Sequence, residues 1–436
     1  MASPARSWRI LAAISAGALV LTACGGGEEE EPDTAAPAAS EAAEPSEAAA
    51  PSEGDGTLTI GTLLPQTGNL AFLGPPEFAG VGLAIKEVND AGGVLDQEVA
   101  YIEGDSGDTQ QDVANPTVDR LLAADADVII GAASSGVSFT VIDKITAAGV
   151  VHYSPANTSP DFTDYDDNGL YFRTAPSDVL QGRILGETIL ADGCTEVGVL
   201  ALQDPYGEGL AENVGLAVTG GGGALTPEAP IFYDPAASNF DAQVNELSAA
   251  NPGCVVLIGF EESAKVIGSM VSAGIGPQEL PLYLVDGNLG NALGEDLPAG
   301  ILEGTKGSLP GAEATPEFRE RLLTIDPELK DYSYAAESYD AVITSALAAV
   351  AAGSDSGEAI ASELANVTRD GTKCTTFEEC KTLLDDGEDI DYDGISGPIE
   401  LSDKGDPTSA IVGIYTYGPD NKLTAEVDYQ PGTLEE

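Results

Sequence analysis

Three loops in this chain concentrate hydroxyls and small residues in a way that could receive an anion. They are Pro65–Gly74, Gly131–Gly136 and Ser154–Pro160. A helix is predicted just beyond each. Free backbone N–H groups at a helix start attract negative charge, and a Ser or Thr hydroxyl adds a donor. A carboxylate is the natural guest. Phosphate fits poorly, because these loops hold no Lys or Arg and the chain has no GxxxxGK[ST] run. Ser134 or Ser135 taken alone also suits a helix N-cap.

Machinery for breaking bonds is scarce. His152 is the only imidazole in the chain, and it sits within an apolar strand-like run, where a structural role is expected. No GxSxG elbow, HExxH pair or Gly-rich dinucleotide turn is visible. Glu261 and Glu262 are adjacent in sequence and read as a solvated helix start. An enzyme on an α/β scaffold is therefore the weaker class. Four cysteines besides Cys24 suit an oxidising compartment and allow three pairings. Cys374 with Cys380 is favoured as a tight surface loop, worth about 2 kcal/mol by chain entropy. Cys194 with Cys254 is favoured because each precedes an apolar strand-like run, and this longer loop is worth about 4 kcal/mol. Metal binding by these cysteines is disfavoured, since no CxxC pair exists. No cofactor and no metal are expected.

The elements that must position these loops alternate. Strands are predicted at 58–64, 99–103, 128–131 and 150–153, with helices at 78–89, 113–123 and 139–148 between them. The pattern restarts near Asp178 with a helix reaching Ala191. Strands follow at 197–202, 230–233, 255–260 and 282–285, with helices at 210–218, 240–249 and 262–273. Repeated strand–helix–strand units mean parallel sheets covered on both faces. Two such arrays predict two doubly wound α/β lobes. Ligands of such sheets sit beyond the carboxyl ends of the strands, so the cleft between lobes is the natural pocket. The Ala-rich stretch 341–352 reads as a buried core helix.

The first residues speak of location. A basic start (Arg6, Arg9) and an apolar run from Ile10 to Leu21 have the layout of a secretory signal, too short for a comfortable membrane span. Leu21-Thr22-Ala23-Cys24 resembles the lipobox of bacterial lipoproteins. The resemblance implies cleavage of residues 1–23 and lipid on Cys24, an extracytoplasmic protein anchored to the cell membrane. Several acyl chains at one site anchor stably, where one is marginal. Residues 25–56 carry ten acidic residues and no basic or aromatic one, so 24–56 is expected to be a disordered, self-repelling spacer.

The formal net charge is −56. With the linker's ten acids and the leader's two arginines set aside, 63 acids and 15 bases remain. That excludes nucleic-acid binding, which needs basic surface. It suits adaptation to high salt, or a general acidic bias with no role at the site.

Several motifs together carry a family resemblance. Thr59–Gly68 followed by Ala84–Gly93 resembles the opening of the substrate-binding proteins of branched-chain amino-acid ABC transporters. Tyr153–Thr158, Phe172-Arg173-Thr174 with Asp178 and Gln181-Gly182, and Asp204–Leu210 are similar to further motifs of that family. The resemblance spans nearly all of residues 57–420. It implies a type I periplasmic-binding fold, two lobes joined by three crossovers and closing on ligand by a hinge. The lobes would be 57–175 with about 309–395, and 176–308 with about 396–436.

The resemblance also implies that binding is the activity. A monomer would capture an amino acid and deliver it to a membrane-embedded ABC permease. Ser135, backbone near Ala156, and Thr158 would hold the ligand carboxylate. The family's acidic and tyrosine contacts fall on Asp178, Tyr206 and Asp286, with Asp286 as ammonium partner and Tyr206 closing over the ligand. Asp178 also suits an N-cap, Tyr206 a domain-edge aromatic, and Asp286 a turn residue before Gly287. Phe72, Leu73 and Phe260 would give an apolar wall for the side chain. A binder of amides, urea or a simple carboxylate, and a sensor rather than a transport receptor, are the alternatives.

Overall fold

The computed structural model describes residues 54–434. Two sheets organise them. The first contains β1 (Thr59–Leu63), β2 (Ala100–Ile102), β3 (Val128–Gly131), β4 (Val151–Ser154) and β5 (Tyr171–Arg173), all parallel in the order β2-β1-β3-β4-β5. Its strands β1, β3 and β4 are buried throughout, as expected of parallel strands with both faces covered. The covering helices begin with α1 (Gly74–Asp90), α2 (Ala114–Leu122), α3 (Ser135–Ser138) and α4 (Ile142–Ala147).

The second sheet holds β6 (Glu196–Leu202), β7 (Ala224–Leu225), β8 (Ile231–Tyr233), β9 (Cys254–Ile258), β10 (Leu282–Val285) and β11 (Lys306–Pro310), again parallel to one another. Around it lie α5 (Asp178–Ala191), α6 (Pro205–Gly220), α7 (Asp241–Ala250) and α8 (Ser263–Ala273). The chain then returns to the first sheet's side with α9 (Pro316–Leu322), α10 (Ala335–Ala352), α11 (Gly357–Leu364) and α12 (Phe377–Asp385), and α1 packs on α10. The short strands β12 (Thr372–Cys374) and β13 (Ile390–Tyr392) pair beside α12. Finally β14 (Ser409–Thr416) and β15 (Asp428–Thr433) join the second sheet antiparallel, beyond β11. The sequence reading expected parallel strands only and stopped short of this pair.

Each sheet has its own apolar core. The chain passes between them three times: after Arg173, after Pro310, and between Leu401 and Ser409. A buried ion pair ties the first and third passages together. Arg173 donates from Nε to Asp406 Oδ1 at 2.6 Å and from Nη2 to Asp406 Oδ2 at 3.0 Å. Its Nη1 donates to the Ser159 carbonyl at 2.7 Å. A planar guanidinium can make all of these at once, which a lysine cannot.

Local differences from the sequence reading have local causes. Helix α1 begins at Gly74, not Phe78, because Pro75 and Pro76 occupy its first turn, where a missing N–H costs nothing. Helix α6 begins at Pro205, capped by Asp204, whose Oδ1 accepts from the Gly207 N–H at 2.7 Å. Of the helix expected over 139–148 only α4 forms, and a separate short helix, α3, ends before it at Ser138. Between them the Thr140 hydroxyl donates to the Val137 carbonyl at 2.7 Å, and Val141 leaves helical geometry with φ −128° and ψ −14°. The Ala-rich helix α10 is buried continuously from Ala335 to Ala349, as a core helix should be.

The four cysteines of the described region lie in two pairs. The Sγ atoms of Cys194 and Cys254 are 2.03 Å apart, and those of Cys374 and Cys380 are 2.12 Å apart. The first pair meets because β6 and β9 are neighbours, with Val197 in register with Cys254. No helix among the described residues is long and apolar enough to cross a membrane. Among the same residues, no group of three or more His, Cys, Asp or Glu side chains could hold a metal ion.

Candidate functional site

The loops at the carboxyl ends of β3 and β4 are folded onto each other. Ser154 and Asn157 do this. The Ser154 hydroxyl donates to the Ala132 carbonyl at 2.7 Å and accepts from the N–H groups of Ala156 (3.2 Å) and Asn157 (2.9 Å). Asn157 Nδ2 donates to the carbonyls of Ala132 (3.0 Å) and Ala133 (2.9 Å). The Ala156 N–H is thus occupied within its own loop. Ser134, with extended φ −73° and ψ 125°, is the cap of α3, its Oγ accepting from the Val137 N–H at 3.3 Å. Ser135 comes one residue later. Its Oγ accepts from the Ser159 N–H at 3.4 Å, which keeps its own O–H free to donate.

Thr158 and Asp178 meet through the backbone, where the Asp178 N–H donates to the Thr158 carbonyl at 2.7 Å. Both side chains are fully buried. The cap of α5 is Ser177, whose Oγ accepts from the Val179 N–H, so the Asp178 carboxyl is not used as a cap. Neither Asp178 oxygen has a partner in the protein, and neither does Thr158 Oγ1. Burial first, and the nearby Asp286 carboxyl second, push the Asp178 pKa well above the usual carboxylate range. The Thr158 hydroxyl, near the carboxyl but outside hydrogen-bond geometry, and the Arg173 charge offset only part of this.

Asp286 has different surroundings. It begins a tight turn after β10, held by Asn288, whose Oδ1 accepts from the Val285 N–H and whose Nδ2 donates to the Leu257 carbonyl and Ser263 Oγ. Asp286 Oδ1 accepts from Gln181 Nε2 and from the Tyr206 hydroxyl, each at 2.8 Å. Asp286 Oδ2 accepts from the Tyr334 hydroxyl at 2.8 Å. Burial raises its pKa, and these three donors oppose the rise. Gln181 also donates to Ser308 Oγ at 3.1 Å, which fixes its amide and leaves Oε1 buried without a partner. Tyr206 stacks on Phe260 with ring centroids 5.5 Å apart.

The structure therefore brings Thr158, Asp178, Tyr206 and Asp286 together, with Ser135 joined to them through Ser159. Sequence reasoning missed Gln181 and Tyr334 as members of this group. Gln181 stood in a quoted motif, one helical turn after Asp178, and that spacing was the available signal. Tyr334 gave none, because its partner lies 48 residues away.

Around this cluster, four buried oxygens lack partners: Thr158 Oγ1, both oxygens of Asp178, and Gln181 Oε1. Three of the four belong to acceptor groups. Buried polar atoms are nearly always paired, so this arrangement calls for a guest that brings N–H donors. A separate cavity of about 230 Å³ is lined by Ala71, Phe72, Phe260, Ala264 and Leu293, among others, but by none of Thr158, Asp178 or Asp286. Of the three residues expected to wall the side chain, Phe72 and Phe260 line it, while Leu73 does not.

Two expectations about other residues resolve. His152 is buried in β4 with its ring edge-on to Tyr171, 5.3 Å between centroids, and burial pushes its pKa down to about 3. It is a neutral core residue. Glu262 is not the solvated acid that was expected. It is buried, with Oε1 accepting from the Phe260 N–H and the Tyr233 hydroxyl, each at 2.9 Å. The turn after β9 folds it inward, while Glu261 stays exposed.

The chain is similar to known proteins. A family profile described as "Periplasmic binding protein" matches residues 57–384. The chain is 30% identical over 318 residues to Leu/Ile/Val-binding protein homolog 1 of Brucella abortus, covering 70% of this chain and 81% of that one. It is 26% identical over 381 residues to a chemotactic signal transduction system substrate-binding protein of Halobacterium salinarum, covering 81% and 86%. In three dimensions it resembles the branched-chain amino acid transporter substrate-binding protein of Streptococcus pneumoniae in complex with isoleucine. That match has a TM-score of 0.70 at 20% identity, covering 86% of this chain and 100% of that one. The last likeness establishes the two-lobed fold.

Proposed function

This chain belongs to the periplasmic binding protein family, and from that premise we propose that it captures an amino acid between its lobes and hands it to an ABC permease. The family places its work outside the cytoplasm. The observation that carries the ligand class is the cluster of unpartnered buried oxygens on Thr158, Asp178 and Gln181. An α-ammonium supplies three N–H donors and a positive charge, and a buried carboxylate returns a charge-assisted bond. In this reading Asp178 and Gln181 Oε1 receive the ammonium. Asp286, expected for that role, has both oxygens engaged by Gln181, Tyr206 and Tyr334, and acts as the anchor that orients them. The Ser135 and Thr158 hydroxyls take the carboxylate. The Ala156 N–H, held by Ser154, takes no direct part.

An apolar side chain suits the rest. Phe72 and Phe260 line the neighbouring cavity, and the Brucella relative is named for leucine, isoleucine and valine. The lobes close about the three passages near Arg173, Pro310 and Leu401–Ser409. The body works as a monomer, carried by a lipid on Cys24 at the end of the acidic linker, residues outside the described region. The two cysteine pairs are disulfides in this oxidising setting. A second reading, reporting ligand to a chemotaxis partner, takes its support from the Halobacterium relative.

Calorimetric titration of the purified protein, unfolded and refolded to strip ligand, tests the proposal. Heat with leucine, isoleucine or valine is expected. Heat with simple carboxylates or amides, and none with any amino acid, would contradict it.

A further inference from the structure

Tyr334 belongs to one lobe and bonds to the other. Its backbone caps α10, the long helix that packs on α1 beside the first sheet. Its ring lies in the apolar core of the second sheet, and its hydroxyl donates to Asp286 Oδ2 at 2.8 Å. Both groups are buried. To reach this position Tyr334 adopts φ +58° and ψ +8°, a left-handed conformation that a bulky residue rarely takes. An unfavourable backbone persists where the surroundings over-determine it, and such outliers gather at clamps and switches.

The other donors to Asp286 come from its own side of the cleft. Gln181 is on α5 and Tyr206 on α6, both packed with the second sheet. Among the bonds to this carboxylate, only that of Tyr334 must break when the lobes part. We propose that Tyr334 is the latch of the cleft, a positioning residue that holds Asp286 across the lobe boundary and slows release of ligand. The idea rests on the hinge-closing reading given above. It does not depend on which ligand is bound.

The test compares the wild-type protein with Tyr334→Phe, which removes one oxygen and keeps the ring. Far-UV circular dichroism confirms that the variant folds. Small-angle scattering of the ligand-free proteins should give a larger radius of gyration for Tyr334→Phe than for wild type. Tyr206→Phe, which removes a donor from the same lobe as Asp286, should leave the radius unchanged. With leucine, stopped-flow dissociation should speed up about tenfold in Tyr334→Phe at an unaltered association rate. An unchanged radius in Tyr334→Phe, or equal opening in both variants, overturns the latch. Should the wild type take up no amino acid, the ligand assignment fails, while the scattering comparison still decides the latch.

Discussion

Asp178 and Asp286 are two buried carboxyls within electrostatic reach of each other, and their surroundings divide the work. Asp286 is saturated by an amide and two phenols, whereas Asp178 faces inward with both oxygens open. An incoming ammonium gains most where the acceptor is unpaired, because there it relieves a desolvation cost already incurred on folding. The carboxylate end of the ligand depends on hydroxyls in the same way. Replacing Ser135 and Thr158 together by Ala should abolish binding while the melting temperature stays near wild type, read by titration and calorimetric melting. Affinity equal to wild type in that folded double variant would remove both hydroxyls from the site. The sequence offered most of these residues as candidates, through short motifs at strand ends and the family resemblance those motifs carry. The division of roles was not legible, since it depends on Gln181 and Tyr334, whose bonds to Asp286 span 105 and 48 residues.

At the scale of elements, the packed helices α1 and α10 carry two buried acids. Glu77 on α1 is buried with neither oxygen partnered, and its pKa is raised by burial and by Glu337. Glu337 on α10 is pushed up to about 8, chiefly by burial. A Cβ at Gly311, which has φ +115° at the second passage, would collide with the Glu337 carboxyl. An unfolded-chain glutamate ionises near pH 4.3. Between that value and about 8 the unfolded chain has lost a proton that folded Glu337 still holds, so stability falls as pH rises through this window. Glu337→Gln should flatten the fall in melting temperature between pH 5 and pH 8, measured by calorimetry over about that range. A slope identical to wild type would mean that Glu337 does not titrate in this window. The sequence reading placed helices over 78–89 and 341–352, both starting just after these glutamates. It could not show that Glu337 lies within electrostatic reach of Glu77, because the two belong to different segments of the lobe. For the same reason the antiparallel return of β14 and β15, which closes the second sheet after the third passage, was out of reach.

The whole molecule carries a formal net charge of −56, far from the balance most folded proteins keep. Self-repulsion among surface carboxylates works against the compact state and is screened by salt. Melting the protein in low and in molar salt should therefore raise the midpoint, and an unchanged midpoint would make the acidity a general bias with no role in stability. Two α/β lobes with a cleft between them were readable from strand–helix alternation, whereas the three passages were an implication of the family resemblance. What closes the cleft was not readable, because interlobe bonds join residues that no local pattern connects. The account turns on Asp178 as the ammonium acceptor. The most direct measurement is the leucine affinity of Asp178→Asn beside that of the wild type, by titration calorimetry at pH 7. Loss of the buried charge partner should weaken leucine about 100-fold or more, and should not weaken 4-methylpentanoate, which has no ammonium. Leucine bound by Asp178→Asn as tightly as by the wild type would contradict the account.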